Sequence, residues 1–329
     1  MAPKKFKYTD KIFENVEILD TSSDGNSVAK VNDLVIFVKN AVPGDVVTLK
    51  ITREHRRYLE AKVLEIIKPS PYRTEVRCSH FGICGGCKWQ NLKYEQQLFY
   101  KQKQVFDALT RIGKLSFPEI LPIIDSQQIY YYRNKMEFAF SSKMWLTEAQ
   151  IKSKESFQKR NALGFHLPGM FDKILDIQQC YLQKEPSNEI RNFVKKYCEE
   201  NNYSFFDNRK QSGLMRSMII RNSSIGEWMV ILMFYTDEKE KRENLLNAIA
   251  EKFPQITSLM YIINSKKNDS YADLDVHLFK GKDHIIEEME GLKFKVGPKS
   301  FYQTNSNQAY ELYKVVREFA NLKGNELVY

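Results

Sequence analysis

Three of the chain's five cysteines fall within ten residues, in Cys78-Ser-His-Phe-Gly-Ile-Cys84-Gly-Gly-Cys87-Lys-Trp-Gln90. A Cys-x2-Cys pair lets two thiolates converge on one centre, and the Gly-Gly between them lets the backbone turn tightly around it. Three ligands need a fourth, so the fold must bring another group to this loop. Cys180 and Cys198 are the remaining thiols. Cys198 sits in an expected helix and reads as a packed or surface thiol. Cys180 follows a strand-like stretch at 174–177 and can fold back. Four thiolates hold either zinc or an iron–sulfur cluster. Zinc sites usually pair two short cysteine knuckles, whereas a three-plus-one arrangement is more typical of a [4Fe–4S] cluster. Plain structural thiols are the third reading.

The surroundings of the loop narrow its role. Lys and Arg number 50 against 41 Asp and Glu, a net charge of +9 over 329 residues. That excess favours a polyanionic partner, nucleic acid first, with simple solubility as the alternative. Cysteines in a chain without a secretory signal point to metal or catalysis rather than disulfides. No run approaches the roughly 20 apolar residues of a membrane span. A cytoplasmic, membrane-free and monomeric protein is expected.

Short runs of β-branched and aliphatic residues at 16–19, 28–31, 34–38, 46–52 and 58–67 are separated by turn chemistry, and they predict a five-stranded OB-like barrel. Arg53, Arg56 and Arg57 lie at the tip between the last two strands, where they suit phosphate contact or form a solvated turn. Lys68-Pro69-Ser70-Pro71 ends the barrel. A helix is expected at 94–112, from Leu98, Val105, Leu109 and Ile112. Beyond it, strands at 135–140, 162–166, 215–221 and 228–234 with helices at 189–198 and 238–252 predict an α+β region. A helix at about 308–322 precedes Glu326-Leu-Val-Tyr329, which reads as the first residues of a strand. On that reading the chain is a fragment of a longer protein.

With these residues assembled, the chain resembles the RNA (uracil-5-)-methyltransferases that carry an N-terminal TRAM domain, in particular the bacterial enzymes that make 5-methyluridine in 23S ribosomal RNA. The resemblance rests on Ala41-Val-Pro-Gly-Asp45, on Ser70-Pro71 leading into the cysteine loop and Gln90, on Tyr132-Arg133-Asn134-Lys135, and on Phe301-Tyr-Gln303-Thr-Asn305. It implies a [4Fe–4S] cluster on Cys78, Cys84, Cys87 and Cys180. It implies S-adenosylmethionine as methyl donor, touched by Gln303, with Phe301 nearby and Arg133 and Lys135 on RNA. It also implies a multidomain fold: a TRAM barrel at 1–68, a central iron–sulfur domain at 69–92 and 126–287, and the start of a Rossmann-like α/β methyltransferase domain at 93–125 and 288–329. The helix at 94–112 would pack on that last domain. The family's nucleophilic cysteine and general base would lie beyond Tyr329, so these residues alone are expected to bind RNA without methylating it. Transfer RNA is the rival substrate. A non-catalytic iron–sulfur RNA-binding module is the rival function, against which the Phe301-x-Gln-x-Asn segment argues.

Overall fold

The computed structural model of the chain describes residues 7–153 and 160–328. They form two compact units, Met1–Asp125 and Ser126–Tyr329.

In the first unit, β1 (Ile12–Thr21), β2 (Ser27–Val31), β3 (Leu34–Lys39), β4 (Val46–Glu54) and β5 (Tyr58–Lys68) close into a barrel ordered β1-β2-β3-β5-β4. Alternation drives it. Val16 and Ile18, Ile36 and Val38, and Val47, Leu49 and Ile51 all point inward. Between β2 and β3 the chain turns on Asn32 and Asp33, both at positive φ, as a two-residue hairpin requires. All five expected strands are present. The first begins earlier than expected because Asn15, at φ 55°, interrupts the alternation while pairing with β4 resumes on either side.

The Pro-Gly-Asp element ties the linker to this barrel. The Asp45 carboxylate is fully buried, and it accepts from the Val42 and Ser70 N–H groups and from both arms of the Arg73 guanidinium. Gly44 precedes it at φ 89°, where a Cβ would stand 2.9 Å from the Ser70 hydroxyl. The cysteine loop follows on the same unit, held by the Trp89 indole N–H donating to the Gly25 carbonyl and the Asn91 amide donating to the Asn40 carbonyl.

Helix α1 (Tyr94–Asp107) continues as a π-helical turn at Ala108–Ile112. The expected apolar stripe is not what it buries. Val105 and Ile112 are exposed, and Tyr100 instead packs with Val42, Leu92 and Trp89. Lys103 and Gln104 bind Asp20 and Ser22 at the end of β1.

The second unit is built on a seven-stranded sheet ordered β12-β11-β10-β9-β6-β7-β8. Its strands are β6 (Lys135–Ser141), β7 (Ala162–Leu167), β8 (Met170–Asp176), β9 (Met215–Asn222), β10 (Trp228–Phe234), β11 (Ile256–Ile263) and β12 (His277–Gly281). A short helix, α2 (Glu148–Lys152), lies between β6 and β7 in the chain. Helices α3 (Ser187–Glu200) and α4 (Lys239–Lys252) cover one face, where Ile190, Val194 and Cys198 of α3 and Leu245, Leu246 and Ile249 of α4 pack with Phe138, Phe140, Val230 and Leu232. Strand β10 is buried along its whole length because its alternate residues Met229, Ile231 and Met233 serve a second core on the opposite face. Only β10 and β11 run parallel in this sheet, joined through α4. Such continuous apolar runs are what a strand covered on both sides needs.

A hairpin of β13 (Ile285–Met289) and β14 (Leu292–Val296), the segment 297–305 and helix α5 (Ser306–Ala320) complete the unit. No doubly wound parallel sheet is present among the described residues. The strand expected to begin at Glu326 is not formed over 326–328, and Tyr329 lies outside the described residues. The Glu326 carboxylate instead accepts from the N–H groups of Lys323 and Gly324 and curls the chain back on itself. Among the described residues no helix is long and apolar enough to cross a membrane.

Candidate functional site

The Tyr132–Lys135 and Phe301–Asn305 motifs meet in the second unit, where Asn134 bonds Gln303 across 169 residues of sequence. The Asn134 carboxamide is buried and donates to the Gln303 carbonyl and to the Ser306 hydroxyl, each at 2.8 Å. Its backbone N–H donates to the Thr304 carbonyl, and its own carbonyl accepts from Asn222 at the end of β9. Arg133 and Asn305 form an isolated antiparallel bridge beside it. Ser306 passes the network on to Glu287, whose other oxygen accepts from the Ser224 N–H. The start of the segment is held by Arg221, almost fully buried on β9, which donates to the carbonyls of Gly297 and Ser300. Burial pulls the Arg221 guanidinium below its ordinary value, with the Tyr271 and Glu287 charges pulling the other way.

This framework presents the expected site residues. Phe301 is 85% exposed, and the Gln303 side chain is exposed and bonded to nothing among the described residues, its carbonyl being the only part held. Asn305 is the N-cap of α5, its side chain accepting from the Gln308 N–H. The arrangement thus spends Asn134, Asn305, Glu287 and Arg221 on fixing backbone and leaves Phe301 and Gln303 free to meet a ligand. Arg133 turns its Nε onto the Lys135 carbonyl, and the Lys135 ammonium lies 3.4 Å from the Tyr271 hydroxyl.

Sequence reasoning named the charged neighbours and missed Asn134, Arg221 and Glu287. A signal for Asn134 was present: it is the uncharged residue between two cations in a motif already singled out. Arg221 and Glu287 carried none, since each reads as a surface charge until its strand is found buried.

The cysteines are distributed over the two units: Cys78, Cys84 and Cys87 in the first, Cys180 and Cys198 in the second. Burial pushes the Cys84 thiol up, and charge on Cys87 and Cys78 pushes the same way, against the Gly86 N–H that donates to its sulfur and the nearby Lys88. Cys180 is partly buried against the sheet core, its N–H donating to Asn188. Arg191 of α3, buried beneath Phe138, donates to the carbonyls of Ile177 and Gln178 and fixes the loop that carries Cys180. Burial pulls this guanidinium down to about 10, and a charge on Cys180 works against that. Among the described residues no three His, Cys, Asp or Glu side chains converge to hold a metal ion. The donor types fit a thiolate-bound centre. Cys198 is fully buried on α3 and its thiol is pushed far up by burial, which makes it a core residue.

At the barrel tip, Arg53, Arg56 and Arg57 are exposed and form no ion pair among the described residues. They flank a rigid base: His55 stacks on Tyr58 at 4.2 Å and bonds Glu60, and Tyr58 meets Phe37 edge-on. Unpaired guanidiniums on a stiff hairpin are suited to phosphate.

The TRAM domain family matches residues 14–64, the barrel. A Bacteroides thetaiotaomicron protein described as an uncharacterized RNA methyltransferase is 56% identical over 311 residues, covering 94% of this chain and 68% of its own length. A Porphyromonas gingivalis protein of the same description is 50% identical over 319 residues, covering 95% of this chain and 69% of its own length. A solved structure of the Pyrococcus abyssi tRNA (uracil-54, C5)-methyltransferase in complex with S-adenosyl-L-homocysteine matches 92% of this chain with a TM-score of 0.64 at 24% identity. That likeness shows a shared fold, and the chain spans 65% of that protein. The curated relatives extend beyond the matched region by about a third of their length. By its TRAM barrel and by these relatives, the chain belongs to the RNA methyltransferase family.

Proposed function

We propose that the protein methylates uridine at C5 in RNA with S-adenosylmethionine as donor, and that residues 1–329 supply its RNA-binding part and one wall of the donor site. The observation that carries this reading is the Asn134 clasp. It joins the Tyr132–Lys135 motif to the Phe301–Asn305 motif, so that Gln303 and Phe301 are presented beside Arg133 and Lys135. The name of the Pyrococcus abyssi protein and its bound S-adenosyl-L-homocysteine support the same donor and the same carbon.

Uracil C5 is a weak nucleophile. In covalent catalysis a thiolate adds to C6, the resulting enolate attacks the sulfonium methyl through C5, a base removes the C5 proton, and the thiolate is expelled. The thiolate must be accessible and ionised. Cys198 is neither, and the other four cysteines are those read as cluster ligands. The resemblance places the nucleophile and base in sequence outside these residues. What these residues do is bind and orient. The barrel tip holds phosphate, and contacts with flanking RNA offset the few kcal/mol of unstacking the target base.

Cys78, Cys84, Cys87 and Cys180 are proposed to hold a [4Fe–4S] cluster with a structural role, a reading that rests on the spacing of the cysteines and on the resemblance. Protein purified without oxygen should be brown, absorb near roughly 400 nm and contain iron and sulfide. A colourless protein with one zinc overturns the assignment. Ribosomal RNA is the substrate that the cysteine pattern favours, and transfer RNA the one in the Pyrococcus abyssi protein's name. Incubating the full-length protein with labelled S-adenosylmethionine and each RNA, then digesting to nucleosides, tests the reading. The label should appear in 5-methyluridine, and label confined to another nucleoside would refute it.

A further inference from the structure

The two faces of the seven-stranded sheet are covered unequally. On the face opposite α3 and α4, the β9–β11 end is sealed by Ile285, Val296 and Tyr302. The β6–β8 end stays open as a cavity of about 290 Å³. That is at the small end of ligand pockets.

Its chemistry is unlike that of the surrounding protein. Glu137, Asp172 and Asp269 line it with three carboxylates, against the single guanidinium of Arg216, in a chain of net charge +9. Arg216 is committed already, donating to Asp269 and to the carbonyls of Asn264, Lys266 and Asn268. Asp269 is paired with Arg216 and Asp172 with Arg209, so Glu137 is the lining carboxylate left without a cation among the described residues, and it suits an occupant that offers hydrogen-bond donors. Two polar side chains await one. Glu137 and His166 are exposed and bonded to nothing among the described residues. The β6–β7 ladder ends at Ala139 and Gly164, and two residues beyond it on each strand Glu137 and His166 line the same cavity. Phe171, 63% exposed, adds a flat apolar wall, with the Asp172-bound Arg209 guanidinium 5.8 Å over its ring.

We propose that this cavity takes a guanine base from a single-stranded segment of the bound RNA. Of the four RNA bases, guanine alone offers two adjacent donors, N1–H and the N2 amine, on its Watson–Crick edge, with the O6 acceptor beside them. Glu137 accepts from the two donors, His166 donates to O6, and the base stacks on Phe171. Adenine, cytosine and uracil each set an acceptor against the carboxylate in that pose. Lys135 lies two residues before Glu137 on β6, and so on the same face, where it holds a phosphate of the same strand. The proposal rests on the reading of the chain as RNA-binding.

Oligouridines carrying one central guanosine, inosine or adenosine, titrated against the chain by fluorescence anisotropy, test it. Inosine lacks only the N2 amine. The guanosine oligomer should bind about tenfold tighter than the inosine one, and Glu137→Gln should erase that difference. Phe171→Ala, at an exposed position, should weaken the guanosine oligomer severalfold. Equal affinity for guanosine and inosine, a difference that survives Glu137→Gln, or indifference to Phe171→Ala overturns the proposal and leaves RNA binding standing. Failure of every oligomer to bind overturns the RNA reading and the proposal with it.

Discussion

The Asn134 carboxamide gives both of its N–H donors to the Phe301–Ser306 region, and no water-exposed alternative competes for them. Removing it leaves the Gln303 carbonyl without its donor and the Ser306 hydroxyl with Glu287 alone. Asn134→Ala should therefore cost about 1–3 kcal/mol of stability in urea unfolding, more than Arg133→Ala or Lys135→Ala, whose side chains are only partly buried. Equal costs for the three would mean that the clasp holds nothing. Asp45 is the corresponding residue of the barrel. Asp45→Ala leaves the buried N–H groups of Val42 and Ser70 unpaired and takes the ion pair from the partly exposed Arg73 guanidinium, and a loss of about 2–4 kcal/mol is expected. A loss under about 1 kcal/mol would show that the linker is anchored elsewhere. Both residues sit in motifs visible in the sequence, but their roles were not. A buried asparagine and a surface one are spelled alike, and only the strand ends that crowd around Asn134 separate them.

At the scale of elements, the barrel tip and helix α5 give the clearest expectations. Arg56 and Arg57 have no ion-pair partner among the described residues, so replacing both with alanine should leave thermal stability unchanged and weaken RNA binding. The salt slope should fall by about one for each phosphate that the tip no longer neutralises. An unchanged slope would remove the tip from the RNA path. Helix α5 is tied to the β13–β14 turn by Glu290, which accepts from Arg317 and from the Tyr310 hydroxyl. The Arg317 guanidinium first, then Tyr310, holds the Glu290 carboxyl down to about 2, from an ordinary 4.5. A depressed carboxylate adds stability that is fully present above its unfolded value and fades as the pH falls through the folded one. The tie should thus hold at pH 4.5 and above and loosen only as the pH falls from there toward 2, followed through the Glu290 carboxyl by NMR. A midpoint near 4.5 would show the tie absent in solution. The regular elements were the most legible part of the chain. Strand β10 fell where expected because its apolar run is unbroken, and the barrel strands because turn residues bracket them. Strands β11, β12, β13 and β14 were not anticipated: β11 is a short apolar run, β12 and β13 break the alternation with charged residues, and β14 alternates but leaves Leu292 and Phe294 exposed.

At the scale of the molecule, the cysteine loop was expected to organise the fold. The TRAM barrel, the Asn134 clasp and the family relatives now carry the account instead, while the four-thiolate set awaits chemical analysis. The order of the motifs made the family readable from residues alone. How the Tyr132–Lys135 and Phe301–Asn305 motifs meet was not readable, because a hydrogen bond that spans 169 residues leaves no local pattern. The claim that matters most is the carbon that receives the methyl group. RNA tritiated at uridine C5, incubated with the full-length protein and S-adenosylmethionine, should release tritium to water in step with methyl incorporation, because methylation at C5 must expel that hydrogen. Methyl incorporation without tritium release would place the reaction at another atom and contradict the account.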